Sequence, residues 1–153
     1  MNTLTHRKAK ITDLPGIIEL LLEDELGQTR ESKSIHLDEN YIQAFHKIDS
    51  DSNQYLMVAC DGDKIVGTCH LTIMPSLTFI GSTRLQIEAV RVALQHRGEK
   101  IGHGMFDQAI SYAKEHDVSI IQLTTNKKRS RAKNFYEKLG FKASHEGMKL
   151  YLR

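Results

Sequence analysis

The chain has 153 residues, enough for one domain with a proper core and marginal for two. A formal net charge of +2 excludes the strong basic balance of a nucleic-acid binder, the local cluster Lys127, Lys128, Arg129 and Arg131 being the exception. No apolar run is long enough to span a membrane, the opening MNTLTHRKAK carries no apolar signal segment, and Cys60 and Cys69 form no CxxC pair, so a cytoplasmic protein with two reduced, buried thiols is expected.

LTHRKAKI alternates and reads as a first strand. Thr12 or Asp13 caps a helix with Pro15 in its first turn, and Ile17, Ile18, Leu21, Leu22 and Leu26 recur at helical spacing until Gly27 stops it. The polar stretch 28–36 reads as a mobile loop, and a second helix is predicted from about Leu37 to Ile48. QYLMVAC and KIVGTCHLTI are strand-like runs joined by Asp61-Gly62-Asp63, a hairpin signal. MPSLTFIGST is a connection, and RLQIEAVRVAL is the next strand. KIGHGMFDQAISYAKEHD is helical, with Ile101, Met105, Phe106, Ala109, Ile110 and Ala113 on one face. SIIQLTT reads as a buried strand, SRAKNFYEKLG as a helix stopped by Gly140, and FKASHEGMKLYLR as one or two closing strands. Hairpins first, then helices between strands, predict one α/β (α+β) domain over 1–153 with a mixed sheet and helices on both faces.

Between the fourth strand and the long helix stands HRGEKIGHG. Glycines leading into a helix suit a phosphate, because first-turn amides lack intrahelical partners and carry the positive end of the helix dipole. The Walker pattern fails for want of a GK-S/T sequence, and G-x-G-x-x-G fails because Asp107 stands at its last glycine. Eight histidines lie scattered, with no HxxxH or HxH spacing, so no metal site is expected.

What fits is Arg97-Gly98-Glu99-Lys100-Ile101-Gly102. It resembles the acetyl-CoA diphosphate loop of the GNAT superfamily of N-acetyltransferases, whose pattern is Q/R-x-x-G-x-G/A. Lys100 stands where the family usually has glycine, a change tolerated if that residue adopts helical dihedrals. Downstream, the family's asparagine and tyrosine are matched by Asn134 and Tyr136, followed by Leu139-Gly140-Phe141, and its strand pattern by Ile87-Glu88-Ala89-Val90-Arg91-Val92. The resemblance covers nearly the whole chain.

The resemblance implies a mostly antiparallel, twisted sheet whose central strands splay to hold acetyl-CoA as co-substrate. It places Val90 and Val92 with main-chain groups facing the cofactor, the Val90 amide polarising the thioester carbonyl. Arg97, Gly98, Lys100, Ile101, Gly102 and His103 would bind the diphosphate, and Asn134 the pantetheine arm. Tyr136 would protonate the departing thiolate, although the stripe Ala132, Phe135, Tyr136 and Leu139 equally reads as core. Glu88 is the candidate base, with a solvated carboxylate, or one paired with Arg84 or Arg91, as the alternative. The basic cluster at 127–131 is a solvated loop or meets the 3′-phosphate of CoA or an anionic acceptor. Asn126 is a candidate acceptor contact, and segments 28–36 and 74–83 are expected to wall the acceptor pocket.

The implied activity is acetyl transfer to a small-molecule primary amine by direct attack in a ternary complex, with no nucleic-acid or membrane partner and room for a homodimer. The rivals are a non-catalytic CoA-binding sensor, acetylation of a protein or peptide amine, and a nucleotide-binding α/β domain.

Overall fold

An ion pair fixes the first turn of the chain. In the computed structural model, which describes residues 3–34 and 36–153, strand β1 spans Leu4–Lys8 and a 3-10 turn at Ile11–Asp13 leads into helix α1, Leu14–Leu22. The Arg7 guanidinium grips both carboxylate oxygens of Asp13 at 2.6 and 2.9 Å, and the Lys10 amide donates to Asp13 Oδ2 at 2.7 Å. Asp13 is only 8% exposed, so water competes weakly for these charge-assisted bonds.

The sequence predicts one helix as far as Gly27, but the structure breaks it. Helix α1 ends at Leu22, and a short helix α2, Glu25–Gln28, restarts with Asp24 Oδ2 accepting from the Gly27 amide at 3.1 Å. Asp24 caps the new start more strongly than the apolar period holds the old helix together. Gly27 is obligatory for a different reason than termination: a Cβ there would lie 1.8 Å from the Leu21 carbonyl oxygen. Helix α3, Glu39–Asp49, starts past Leu37 because Asp38 is its cap, accepting from the Asn40 amide at 2.8 Å. Ile35, within the loop predicted at 28–36, lies outside the described residues.

Strands β2, Gln54–Asp61, and β3, Lys64–Met74, form the expected hairpin, with Gly62 at φ 59°. The predicted connection holds a left-handed turn, α4 at Thr78–Gly81, in which Phe79 and Ile80 have φ of 50° and 58°. Strand β4, Thr83–Val92, is followed by a 3-10 turn at Leu94–His96, helix α5, Ile101–Glu115, and strand β5, Val118–Leu123. The sheet order is β1-β2-β3-β4-β5, antiparallel from β1 through β4.

The period of two along β2 sorts the helices onto two faces. Val58 and Cys60 belong to the core built with Leu14, Ile17, Ile18 and Phe45 of α1 and α3. Ala59 points the other way, toward α5. A Cβ at Gly67 would stand 3.0 Å from Met105 Sδ, and one at Gly104 would stand 3.2 Å from His6 Cε1. These two glycines let α5 lie close against the sheet, where Met105, Phe106 and Ala109 are buried. Cys60 and Cys69 are both free and buried, and burial pushes the Cys69 thiol up to about 12.

The chain divides into two compact units, the second running from Leu123 to Arg153. Helix α6, Ser130–Lys138, ends as expected: the Gly140 amide donates to Glu137 O at 3.0 Å and the Phe141 amide to Tyr136 O at 3.1 Å, with Gly140 at φ 101°. This is a Schellman cap, and the Phe141 and Tyr136 rings, 6.1 Å apart, supply its apolar contact. The closing strands are not formed: residues 141–153 contain neither helix nor strand. A strand needs a neighbour to satisfy its backbone, and an isolated hairpin is marginal in water. Strand β5 also departs from expectation, its residues being half-buried or exposed rather than buried.

The grip of Arg7 holds the Asp13 carboxyl below the usual value of 3.8, with the Lys10 amide assisting. Asp13→Asn is expected to cost about 2 kcal/mol at pH 7, the worth of hydrogen bonds to a charged group. That contribution is full above the ordinary aspartate value and is lost as pH falls through the lower folded one. Urea titrations of both proteins at pH 7 and pH 2.5 check it: the gap should narrow in acid.

Candidate active site

Strand β4 carries one residue too many. Thr68 pairs with Arg91 and His70 with Glu88, so two steps on β3 match three on β4, and Ala89 and Val90 share the place opposite Cys69. This is a β-bulge, and Ala89 accommodates it at φ 51°. Alanine in the left-handed region costs on the order of 1 kcal/mol, strain that the surrounding ladder must sustain. A bulge withdraws an amide from the ladder and re-aims it. Val90 stands there, while Val92 is back in register with Gly67.

Beyond β4, the chain is pinned where it turns. The Ala93 amide donates to Val66 O at 2.9 Å, and Glu23 at the end of α1 accepts from the Leu94 amide, also at 2.9 Å. Arg97 is exposed, Gly98 has φ 90°, and Lys100 has φ 62°, ψ 16° as the residue preceding α5. Lys100 is therefore left-handed, not helical: it occupies the conformation for which glycine is suited. The Gly104 amide donates to Lys100 O at 3.0 Å, which puts the amides of Ile101 and Gly102, with His103 after them, in the first turn at the head of the helix. No acidic residue lies in the first turn of α5, so nothing there offsets the dipole's positive end.

Glu88 is exposed, and no ion pair is found for it among the described residues. Arg84 bonds Gln122 at 3.2 Å and Thr78 at 2.7 Å, and Arg91 donates to Val90 O at 2.8 Å. Both arginines named as partners for Glu88 are thus engaged elsewhere. Gln122 of β5 also donates to Gln86 of β4 at 2.8 Å, tying these strands together toward the start of β4.

On the α1 and α3 side of the sheet, a cavity of about 160 Å³ reaches the bulge. Leu14, Ile17, Ile18 and Phe45 line it, with Tyr41, His70 and Ala89 among its walls. His70 sits directly across from Glu88. Burial lowers its pKa, and the charge of Glu88 opposes that shift. Among the described residues, none of 28–36 or 74–83 lines this cavity. The first segment reaches it indirectly: Glu31 accepts from the Tyr41 hydroxyl, which in turn accepts from the Ser32 amide at 3.0 Å. His70 and Tyr41 escaped the sequence reading because each sits singly in an otherwise apolar or amphipathic element. Only the register of β3 against β4 reveals His70's position.

Three expected residues fall in the second unit. Asn126 turns inward on its own loop, accepting from the Lys128 amide at 2.9 Å through Oδ1 and from the Arg129 amide at 2.8 Å through its carbonyl. Asn134 is exposed on α6, and Tyr136 is half-buried with its ring 5.5 Å from that of Phe135. Lys127 stands 3.7 Å from Glu146, both exposed.

The model of the acetyltransferase (GNAT) family matches residues 16–141. The chain belongs to this family. It is similar over 98% of its length to the whole of a transcriptional regulator of known structure from Bacillus halodurans C-125, with 45% identity and a TM-score of 0.95. Glucosamine-6-phosphate N-acetyltransferase from Arabidopsis thaliana is 26% identical, with 99% of this chain and 100% of that one covered and a TM-score of 0.82. A predicted acetyltransferase from Clostridium acetobutylicum, solved with acetyl-CoA, shares the fold at 22% identity and a TM-score of 0.76, with 98% and 97% of the chains covered. No curated protein matches the sequence. The chain is a GNAT acyltransferase with acetyl-CoA as its co-substrate, and no helix among the described residues is long and apolar enough to cross a membrane.

Because Lys100 is left-handed, Lys100→Gly removes a steric cost and is expected to stabilise the fold by about 1 kcal/mol. Thermal melts of the two proteins measure this, and an unchanged or lower midpoint would contradict it. Acetyl-CoA affinity should fall only modestly, since the backbone amides remain.

Proposed function

We propose that this acyltransferase moves the acetyl group from acetyl-CoA to the primary amine of a small molecule, by direct attack in a ternary complex. The observation that carries the reading is the bulge at Ala89–Val90, a few residues before the glycine turn at the head of α5. The diphosphate lies on the amides of Ile101, Gly102 and His103, with Gly98 giving the turn its dihedrals and Arg97 and Lys100 adding charge. The Val90 amide, freed by the bulge, polarises the thioester carbonyl and meets the negative charge that develops on its oxygen. The Val92 main chain and Asn134 hold the pantetheine arm.

The acceptor's ammonium must lose a proton before attack, since only the neutral amine has a lone pair, and Glu88 on β4 supplies the negative charge that favours that loss. Tyr136 returns a proton to the thiolate as the C–S bond breaks. Neither buried cysteine serves as a nucleophile: burial pushes the Cys69 thiol up to about 12 and raises that of Cys60 as well, which disfavours the thiolate that attack would need. Holding the two reactants together supplies much of the rate. The free thiols suit a reducing compartment, and the cytoplasm is the compartment proposed.

A small acceptor is favoured over a protein tail by the scale of the cavity, about 160 Å³. The Arabidopsis relative, named for a small amino sugar phosphate, lends support at 26% identity. Thiol release measured across a panel of amines, amino acids and peptides tests the reading. Release with peptides alone would overturn the small-molecule acceptor.

Gly102→Asp places a carboxylate against the diphosphate and should abolish acetyl-CoA binding in calorimetry while the fold survives. Tyr136→Phe keeps the ring and deletes the hydroxyl. Turnover should fall roughly a hundredfold with cofactor affinity nearly unchanged. Wild-type turnover under conditions where chemistry limits the rate would return Tyr136 to a packing role.

A further inference from the structure

The wall of the cavity beside the bulge carries a base with its own orienting chain. His70 Nε2 lies 2.8 Å from Gln54 Oε1, and Gln54 Nε2 donates to Asp51 Oδ2 at 3.0 Å. The Asp51 carboxylate only accepts, so it fixes which end of the Gln54 amide faces it. The amide oxygen therefore faces His70, and that oxygen too only accepts. Nε2 must carry the hydrogen, and Nδ1 of the neutral ring keeps its lone pair. A carboxylate, an amide and an imidazole in line hold one tautomer, the arrangement by which a third group orients a general base.

Resting on the acetyl-transfer reading above, we propose that His70 Nδ1 takes the proton from the acceptor's ammonium, and that the acceptor is an amine on a small apolar body seated in this cavity. The lone pair of Nδ1 forms the new N–H bond, and the pair of the broken ammonium N–H bond returns to the amine nitrogen. That pair then forms the amide bond to the thioester carbon while the C–S pair leaves on sulfur. The sulfur is protonated to the thiol, and one net proton passes to solvent. Glu88, directly across the ladder, steadies the imidazolium that results.

The groups around His70 fit this task. From β4 comes the charge of Glu88, from β2 the neutral Gln54 with Asp51 behind it, and from α3 the Tyr41 hydroxyl. Helix α1 contributes only Leu14, Ile17, Ile18 and Leu21 to the cavity wall. Among the described residues, no arginine, lysine or carboxylate lines the cavity, so a sugar phosphate or a polycationic amine would find no partner there for its charges. A cavity of about 150 Å³ with apolar walls is the size that takes a benzene ring. Burial lowers the His70 pKa, so the ring is neutral and able to accept a proton near pH 7.

Benzylamine is the probe. Wild-type kcat/KM for benzylamine should rise with pH through a group titrating below 6.5. His70→Gln should lose that limb and fall roughly a hundredfold at pH 7, with acetyl-CoA affinity by calorimetry unchanged. Gln54→Glu puts a negative charge beside Nε2 and should move the limb to higher pH, which a purely structural role would not do. Saturating benzylamine should also shift the imidazole nitrogen resonances of His70 in the wild-type protein. Turnover of benzylamine with an unchanged limb in His70→Gln, or with unshifted His70 resonances, would overturn the His70 assignment and leave the acetyl-transfer reading standing. Thiol release with polar amines but not benzylamine would overturn the apolar acceptor. Acetyl-CoA binding without thiol release for any amine would overturn both readings together.

Discussion

The extra residue in β4 is the constraint on which the site depends. With Ala89 and Val90 sharing one place opposite Cys69, every later residue of the strand is shifted by one relative to β3. A regular strand would turn Ala89 to the α5 face, alternating with Glu88. The bulge instead puts Ala89 among the walls of the α1–α3 cavity that also holds His70. It also takes backbone out of the ladder where the proposed mechanism has a donor meet the thioester carbonyl. In that proposal, one inserted residue serves both reactants. Its cost is a left-handed alanine at φ 51°, held by the antiparallel pairing on either side of it.

The two faces of the sheet are packed to different standards. On the α5 face, Gly67 and Gly104 remove the side chains that would hold the helix away, and Met105 and Phe106 are almost wholly buried. Close packing there fixes the axis of α5, and with it the aim of its first amides. The opposite face keeps a cavity lined by aliphatic side chains. Filling such a space with packed atoms would stabilise the fold, so an apolar void beside a strained bulge is what a binding site requires rather than what stability alone selects.

Much of this was legible in the sequence, and what was not has identifiable physical causes. The Asp61-Gly62-Asp63 hairpin, the apolar face of α5 and the cap at Gly140 follow from local chemistry and appear as expected. The Leu139-Gly140-Phe141 signature even has a local cause, since Phe141 closes the Schellman cap against Tyr136. The bulge left no mark because alanine, not glycine, occupies its left-handed position. Lys100 misled in the same way, as a lysine where the backbone calls for glycine. The break at Asp24 came from a capping aspartate outweighing a continuous apolar period. The closing strands failed because alternation at 148–152 describes a segment able to pair, whereas pairing requires a neighbour that no local pattern names.

His70 shows how far a single residue's meaning depends on register. In KIVGTCHLTI it reads as a polar interruption, and its spacing from every other histidine argues only against a metal. Three separate pairings give it a role: β2 brings Gln54 to its Nε2, β4 brings Glu88 across from it, and the turn before β2 places Asp51 behind Gln54. Slipping β3 by one residue would send the imidazole to the α5 face, among Met105 and Phe106, where a polar ring would be buried without a partner. The hairpin at Gly62 and the apolar demands of both faces forbid that slip. The forces that fix the core therefore also place His70 against Gln54 and across from Glu88.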